Sequence, residues 1–162
     1  KVLIRMQGQY KGNFIWPLQG RISQYFGLTS YAKTGIYGRD ENGNPNSHTG
    51  IDIVKSEGAT IVSATDGEVV HAGCSPIIGC RGYGNYVSVL SNDLWIFYGH
   101  MSLNKPLGVT KGQTIKKGTI LGYQGNTGFS TGSHLHFEIR KAKTNEKGET
   151  FFYPVDPLNY LP

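Results

Sequence analysis

Short runs of alternating apolar and polar residues, separated by glycine, asparagine or aspartate, recur along this chain. A period of two is the pattern of a β-strand with one buried face, and frequent turn residues between such runs are typical of sheets and barrels. No long segment carries the period of about 3.6 residues that marks an amphipathic helix. We therefore predict an all-β domain with strands at 59–64, 67–73, 85–90, 94–101, 113–117, 119–124 and 134–140.

Two connections between these runs lead to specific predictions. Ser91-Asn92-Asp93 is a turn sequence, and it predicts a hairpin in which 86–90 pairs with 94–98. Residues 28–47 are polar, rich in glycine and asparagine, and too long for an ordinary connection. Because this segment leads directly into His48, we expect it to form one wall of a binding groove.

Composition favours one folded domain. The chain has 162 residues, of which 38% are hydrophobic and 12% aromatic, enough to build a core and to exclude a disordered tail. No stretch approaches the roughly twenty apolar residues of a membrane span. We predict a single monomeric domain over residues 1–162. Lys1 is neither an initiator methionine nor part of an apolar signal region, so we expect the chain to be a piece of a longer or processed precursor.

The net charge of +5 favours anionic neighbours such as nucleic acid, anionic lipid or wall polymers. Nucleic-acid binding is nevertheless not predicted, because the basic residues are scattered along the chain. The one dense stretch, 140–147, is interrupted by Glu146.

Cys74 and Cys80 flank Ser-Pro-Ile-Ile-Gly. This spacing matches neither a redox Cys-x-x-Cys pair nor a zinc knuckle. A disulfide closing a small loop is one interpretation, and it implies an oxidising compartment. Two free thiols are the alternative.

The histidines suggest where chemistry takes place. In Ser133-His134-Leu135-His136-Phe137-Glu138-Ile139, strand geometry puts His134, His136 and Glu138 on one face and the apolar residues on the other. Alone, a His-x-His pattern is a weak indication of a metal site. The sequence His48-Thr49-Gly50-Ile51-Asp52 adds a second histidine and a carboxylate, although a capping histidine and a solvated aspartate would also explain it.

Taken together, two neutral imidazoles and one carboxylate suit a Zn²⁺ ion that keeps one coordination position open for water. Such an ion lowers the pKa of its water to near 7 and polarises a carbonyl group, so the predicted reaction class is hydrolysis.

These motifs resemble the lysostaphin-type (M23, LytM-like) zinc metallopeptidases of bacterial cell walls. The resemblance runs from His48 to Arg140, with weaker matches in 20–27 and 156–157. The sequence stretches that carry it are HTGID, GATIVSATDGEVV, GYGNYVSVL, YGHMS, GQTIKKGTILGYQGNTGFSTG and HLHFEIR. It implies an antiparallel β-sheet core (duplicated-hybrid-motif, LytM-like) with long loops walling a groove. Within the domain it implies an N-terminal strand and loop (1–47), a catalytic core (48–140) and a closing segment (141–162).

The resemblance also implies roles for individual residues. His48, Asp52 and His136 would be the zinc ligands. His134 would be the general base on the zinc water and His100 would stabilise the oxyanion, and these two roles are exchangeable. Glu138 orients one of the histidines or is simply solvated. His71 lies outside every motif and is expected to be structural.

The implied activity is zinc-dependent hydrolysis of stem or cross-bridge peptides in bacterial peptidoglycan, outside the cell, by a secreted protein or one carried on a phage virion. Two other functions compete with it. Relatives that have lost their ligands regulate other wall hydrolases without catalysis. A lipoyl-like carrier hairpin at TIKKGTILGYQG would leave the histidines unexplained.

Overall fold

The computed structural model describes residues 14–162. These residues form ten β-strands and two 3₁₀ turns, and no α-helix occurs among them. The strands are β1 (Arg21–Gln24), β2 (Ile51–Val54), β3 (Thr60–Val62), β4 (Gly67–Gly73), β5 (Asn85–Ser91), β6 (Leu94–Met101), β7 (Thr114–Ile115), β8 (Ile120–Tyr123), β9 (Leu135–Thr144) and β10 (Thr150–Val155); the 3₁₀ turns are Ala32–Thr34 and Pro157–Asn159.

An antiparallel sheet with the order β1-β2-β9-β6-β5-β4-β7 dominates the fold, and β10 adds to it by pairing with the far half of β9. β3 and β8 form a separate two-stranded ladder. The prediction of an all-β, antiparallel core is confirmed. The first part of the expected N-terminal segment, residues 1–13, lies outside the described residues.

The predicted hairpin is present. β5 and β6 pair in antiparallel register, with Val87 opposite Tyr98 and Ser91 opposite Leu94. Asn92 occupies the turn with φ of 55°, a left-handed conformation that asparagine tolerates better than most residues. The turn sequence therefore fixes the register of two central strands.

One face of the sheet packs into the hydrophobic core. The alternation in β9 buries Leu135, Phe137 and Ile139 completely, as the sequence pattern predicts. The face of β9 opposite the core carries His136 and Glu138. The core is completed by residues of β2, β5, β6, β8 and their connections, chiefly Ile51, Ile53, Val87, Val89, Ile96, Tyr98, Met101 and Leu121.

The loop after β4 is closed by a disulfide between Cys74 and Cys80, whose Cα atoms are 4.7 Å apart. We expect free-thiol titration of the native protein under denaturing, non-reducing conditions to find no reactive cysteine. After reduction the same assay should find both thiols. Reactive thiols before reduction would contradict this prediction and the oxidising compartment that it implies.

No helix among residues 14–162 is long and apolar enough to cross a lipid bilayer.

Candidate metal centre and active site

Three neighbouring strands bring the predicted site residues together. Asp52 on β2 pairs with His136 on β9, and His136 pairs on its other side with Gly99 on β6. His100 follows Gly99 directly on β6. The register of the sheet thus assembles residues that lie 84 positions apart in the chain.

The other two histidines of the predicted site, His48 and His134, lie just outside these strands, and each is fixed by main-chain hydrogen bonds. His48 exchanges both of its backbone hydrogen bonds with Gly27, at 2.9 Å each. The backbone N–H of His134 donates to the Gly125 carbonyl at 3.1 Å. Residues far apart in sequence therefore anchor both side chains at the rim of the sheet.

His48, Asp52 and His136 form a metal-ligand cluster. Asp52 Oδ1 lies 3.2 Å from His48 Nε2 and 3.1 Å from His136 Nδ1, and one potential ligand atom from each residue lies within 4.8 Å of the other two. All three side chains are buried. Two imidazole nitrogens and one carboxylate oxygen are a donor set that zinc uses in catalytic sites, so the residues fit this metal.

The remaining nitrogen of each ligand histidine has an acceptor that sets its tautomer. His48 Nδ1 lies 3.0 Å from the Tyr25 carbonyl oxygen, and His136 Nε2 lies 2.9 Å from Glu138 Oε1. In a zinc-bound site each of these nitrogens would donate its proton, and the opposite nitrogen, which lies beside Asp52, would turn its lone pair to the ion. Support of this kind orients a metal-bound histidine and raises its basicity.

Burial and hydrogen bonding keep the carboxylates charged. Burial alone would raise the pKa of Asp52, but hydrogen bonds from His136 and His48 outweigh it and bring that pKa far below its usual value. Burial likewise opposes ionisation of Glu138, yet contacts with His136, Thr49 and Arg140 lower its pKa to about 2. Both groups are therefore anionic at neutral pH.

His100 and His134 form a second pair beside the cluster. Their ring centroids are 4.8 Å apart, and His134 Nε2 lies 3.5 Å from Asp52 Oδ1. Each Nδ1 has a main-chain carbonyl acceptor at 2.7 Å, Thr127 for His100 and Gly132 for His134. Burial, together with the neighbouring His136 and His134, lowers the pKa of His100 to about 4, so this imidazole is neutral at pH 7.

A cavity of about 920 Å³ opens over these residues. The long loop 28–47 supplies one wall, and Tyr37 from this loop stacks on the His48 ring at a centroid distance of 4.8 Å. Ile78 from the disulfide-closed loop and Phe129 line other parts of the cavity. The four histidines of the predicted site all line this cavity, so a ligand bound in it could contact them.

The structure adds supporting residues that the sequence analysis did not identify. Thr49, Tyr83 and Arg140 all contact the Glu138 carboxylate. Arg140 lies two residues after Glu138 on β9, so the strand period alone could have placed the two side chains on one face. Tyr83, in contrast, comes from a loop whose position only the fold reveals. His71 lies outside the cluster, where it stacks on Tyr86 at 3.9 Å.

Comparisons with known proteins agree with this geometry. The model of peptidase family M23 matches residues 46–149. The murein hydrolase activator NlpD of Escherichia coli is 36% identical over 148 residues, which cover 91% of this chain and 31% of that protein. The glycyl-glycine endopeptidase ALE-1 of Staphylococcus capitis is 35% identical over 112 residues, covering 68% of this chain and 30% of that protein.

A solved structure shows the same fold. The zinc-containing peptidase of Vibrio cholerae superimposes with a TM-score of 0.62 at 27% identity, covering 86% of this chain and 39% of that one. The chain spans about a third of the length of each of these three proteins. From the matched residues, the sheet topology and the His–Asp–His cluster together, the chain belongs to peptidase family M23.

Proposed function

We propose that this domain is a zinc-dependent endopeptidase that hydrolyses stem or cross-bridge peptides of bacterial peptidoglycan. The observation that carries the proposal is the placement of a second histidine pair, His100 and His134, directly beside the three potential zinc ligands. A purely structural zinc site has no need of such a pair, since its four positions are closed by ligands. Hydrolysis needs an open position and a group that moves protons.

The residues divide into two groups by role. His48, Asp52 and His136 would hold Zn²⁺, which when bound polarises a carbonyl group and lowers the pKa of its water. His134 is assigned to accept the proton of the attacking water and His100 to stabilise the oxyanion that develops on the carbonyl. A neutral His100 that donates its Nδ1 proton to Thr127 has a lone pair at Nε2, so it suits proton acceptance and would have to take up a proton there before it could stabilise an oxyanion. The two roles are therefore exchangeable, as the sequence analysis allowed.

The cavity walls position the peptide. Loop 28–47 and the disulfide-closed loop both line the cavity beside the histidines, so they would contact a peptide bound there. Binding energy gained away from the reacting atoms holds the carbonyl in place for attack. Peptidoglycan outside the cell is accordingly the proposed partner and location, and the domain is proposed to act as a monomer.

A regulator of other wall hydrolases is the second candidate, since the E. coli relative is named a murein hydrolase activator. The present chain retains the potential zinc ligands and both additional histidines. A domain that only binds a partner has no need of all five of these groups side by side, so the enzyme is the preferred proposal.

A hydrolysis assay on purified bacterial cell walls distinguishes the enzyme from the regulator. The zinc-loaded domain alone should release soluble fragments from walls of defined cross-link chemistry, and mass spectrometry should identify the cleaved bond. Chelation should stop the release and added zinc should restore it. Release that occurs only after a second hydrolase is added would instead establish the regulator.

A further inference from the structure

One tyrosine, Tyr83, is linked both to the metal-ligand cluster and to the second histidine pair. Tyr83 lies on the loop between β4 and β5, lines the cavity, and uses its side chain and its main chain for different contacts. We propose that Tyr83 is a positioning residue that holds the ligand His136 and the acid–base residue His100 in fixed relative geometry. The inference rests on the proposed function, because it assigns a role toward zinc and turnover.

The side-chain contact runs through Glu138. The Tyr83 hydroxyl lies 2.9 Å from both Glu138 carboxylate oxygens, and Arg140 Nη2 donates to the Tyr83 oxygen at 2.8 Å. Glu138 is completely buried, so its orientation depends on the donors that surround it. Since Glu138 Oε1 lies 2.9 Å from His136 Nε2, fixing the carboxylate also fixes the ligand ring.

The hydroxyl is well suited to remain a donor. Burial raises the pKa of Tyr83, and the negative charge of Glu138 raises it further, so the phenol stays protonated. Its ring stacks on Phe97 with centroids 5.2 Å apart and planes 14° apart. Packing therefore holds the ring in place, and the hydroxyl can donate its hydrogen bond to the Glu138 carboxylate.

The main-chain contact runs to His100. The Tyr83 carbonyl accepts a hydrogen bond from the His100 backbone N–H at 2.7 Å. His100 has φ of 60°, a left-handed conformation that costs histidine more than glycine, so its surroundings must stabilise it. The Tyr83 carbonyl is one of the groups that do so.

The loop that carries Tyr83 is locked against the segment that holds the His100 ring. Gly84 has φ of 70°, and a Cβ atom there would lie 2.5 Å from Thr127. The Phe129 N–H also donates to the Gly82 carbonyl at 2.8 Å. Thr127 provides the carbonyl that accepts from His100 Nδ1. Movement of the Tyr83 loop would thus disturb both hydrogen bonds that orient His100.

Tyr83→Phe tests this role, with Tyr86→Phe as the matched control. Phenylalanine keeps the ring packing and the main-chain carbonyl but removes the hydroxyl. Tyr86 belongs to the same aromatic cluster, with its ring 5.3 Å from that of Tyr83, and its hydroxyl is not among the Glu138 contacts. Four properties are measured for each protein. They are its thermal unfolding, its zinc affinity by chelator competition, the visible spectrum of its cobalt-substituted form, and its rate on purified cell wall at saturating zinc.

We expect Tyr83→Phe to bind zinc about tenfold more weakly and to shift the cobalt absorption bands, because a loosened Glu138 no longer fixes His136. The rate at saturating zinc should fall severalfold. Tyr86→Phe should match the wild-type protein in all of these measurements.

Two results would overturn the inference while leaving the proposed function intact. One is a Tyr83→Phe protein with wild-type zinc affinity and an unchanged cobalt spectrum. The other is an equal loss in Tyr86→Phe, which would assign the effect to aromatic packing. Failure of the wild-type chain to bind zinc at all would instead refute the proposed function, and the inference with it.

Discussion

Replacing Asp52 by alanine is expected to remove both the metal and the activity. Asp52 contributes the one carboxylate of the cluster, and its Oδ1 is 3.1–3.5 Å from nitrogens of three histidines. Without it, two imidazoles remain to bind a divalent ion. Loss of a supporting partner typically costs 10- to 100-fold in metal affinity, and loss of a ligand should cost more than about 100-fold. Zinc content after dialysis and fragment release from purified wall measure the two losses.

Asp66→Asn is the matched control, because Asp66 is a largely exposed aspartate whose contacts are to Lys116 and the Lys117 N–H. It should retain zinc and activity. The ligand assignment would be refuted by a well-folded Asp52→Ala protein that keeps one zinc per chain.

Replacing His134 or His100 by alanine is expected to lower turnover by roughly a hundredfold or more while leaving the zinc content unchanged. General acid–base groups contribute about 10²–10⁴-fold, and these side chains lie beside the metal ligands without belonging to the His48–Asp52–His136 cluster. Initial rates on wall peptides and zinc analysis of the same samples measure the two effects separately.

His71→Ala provides the comparison for these two variants, since His71 stacks on Tyr86 away from the cluster. It should retain nearly full turnover. Rates within a few fold of wild type for His134→Ala would exclude this residue as the base. Loss of zinc from either variant would place that histidine among the ligands.

The fold class could be predicted because the information is local. Alternation in Leu135–Ile139 divides β9 into an apolar face and a face that carries His136 and Glu138, and the structure buries the apolar residues completely. The turn at Asn92 likewise specifies the β5–β6 hairpin. Side chains that alternate every two residues leave a strand few other ways to bury its apolar atoms.

The candidate ligands could also be identified from the chain, but only by motif. His48 and Asp52 are four residues apart, and His134 and His136 are two apart, so each pair is visible in sequence. That the pairs meet depends on β2 lying next to β9 with Asp52 opposite His136. Such a pairing between distant segments is set by the packing of the whole sheet, which no local pattern specifies.

The sequence by itself determined the all-β class, the central hairpin, and the residue types able to bind zinc and move protons, because strand period, turn preference and side-chain chemistry are properties of short segments. Only the tertiary structure determined which side chains and carbonyl groups are hydrogen-bond partners. It placed a carbonyl or carboxylate behind each of His48, His100, His134 and His136, and it brought Tyr83 and Arg140 onto the buried Glu138. A buried polar group must find partners wherever the fold supplies them, so those partners come from strands and loops that are remote in the chain.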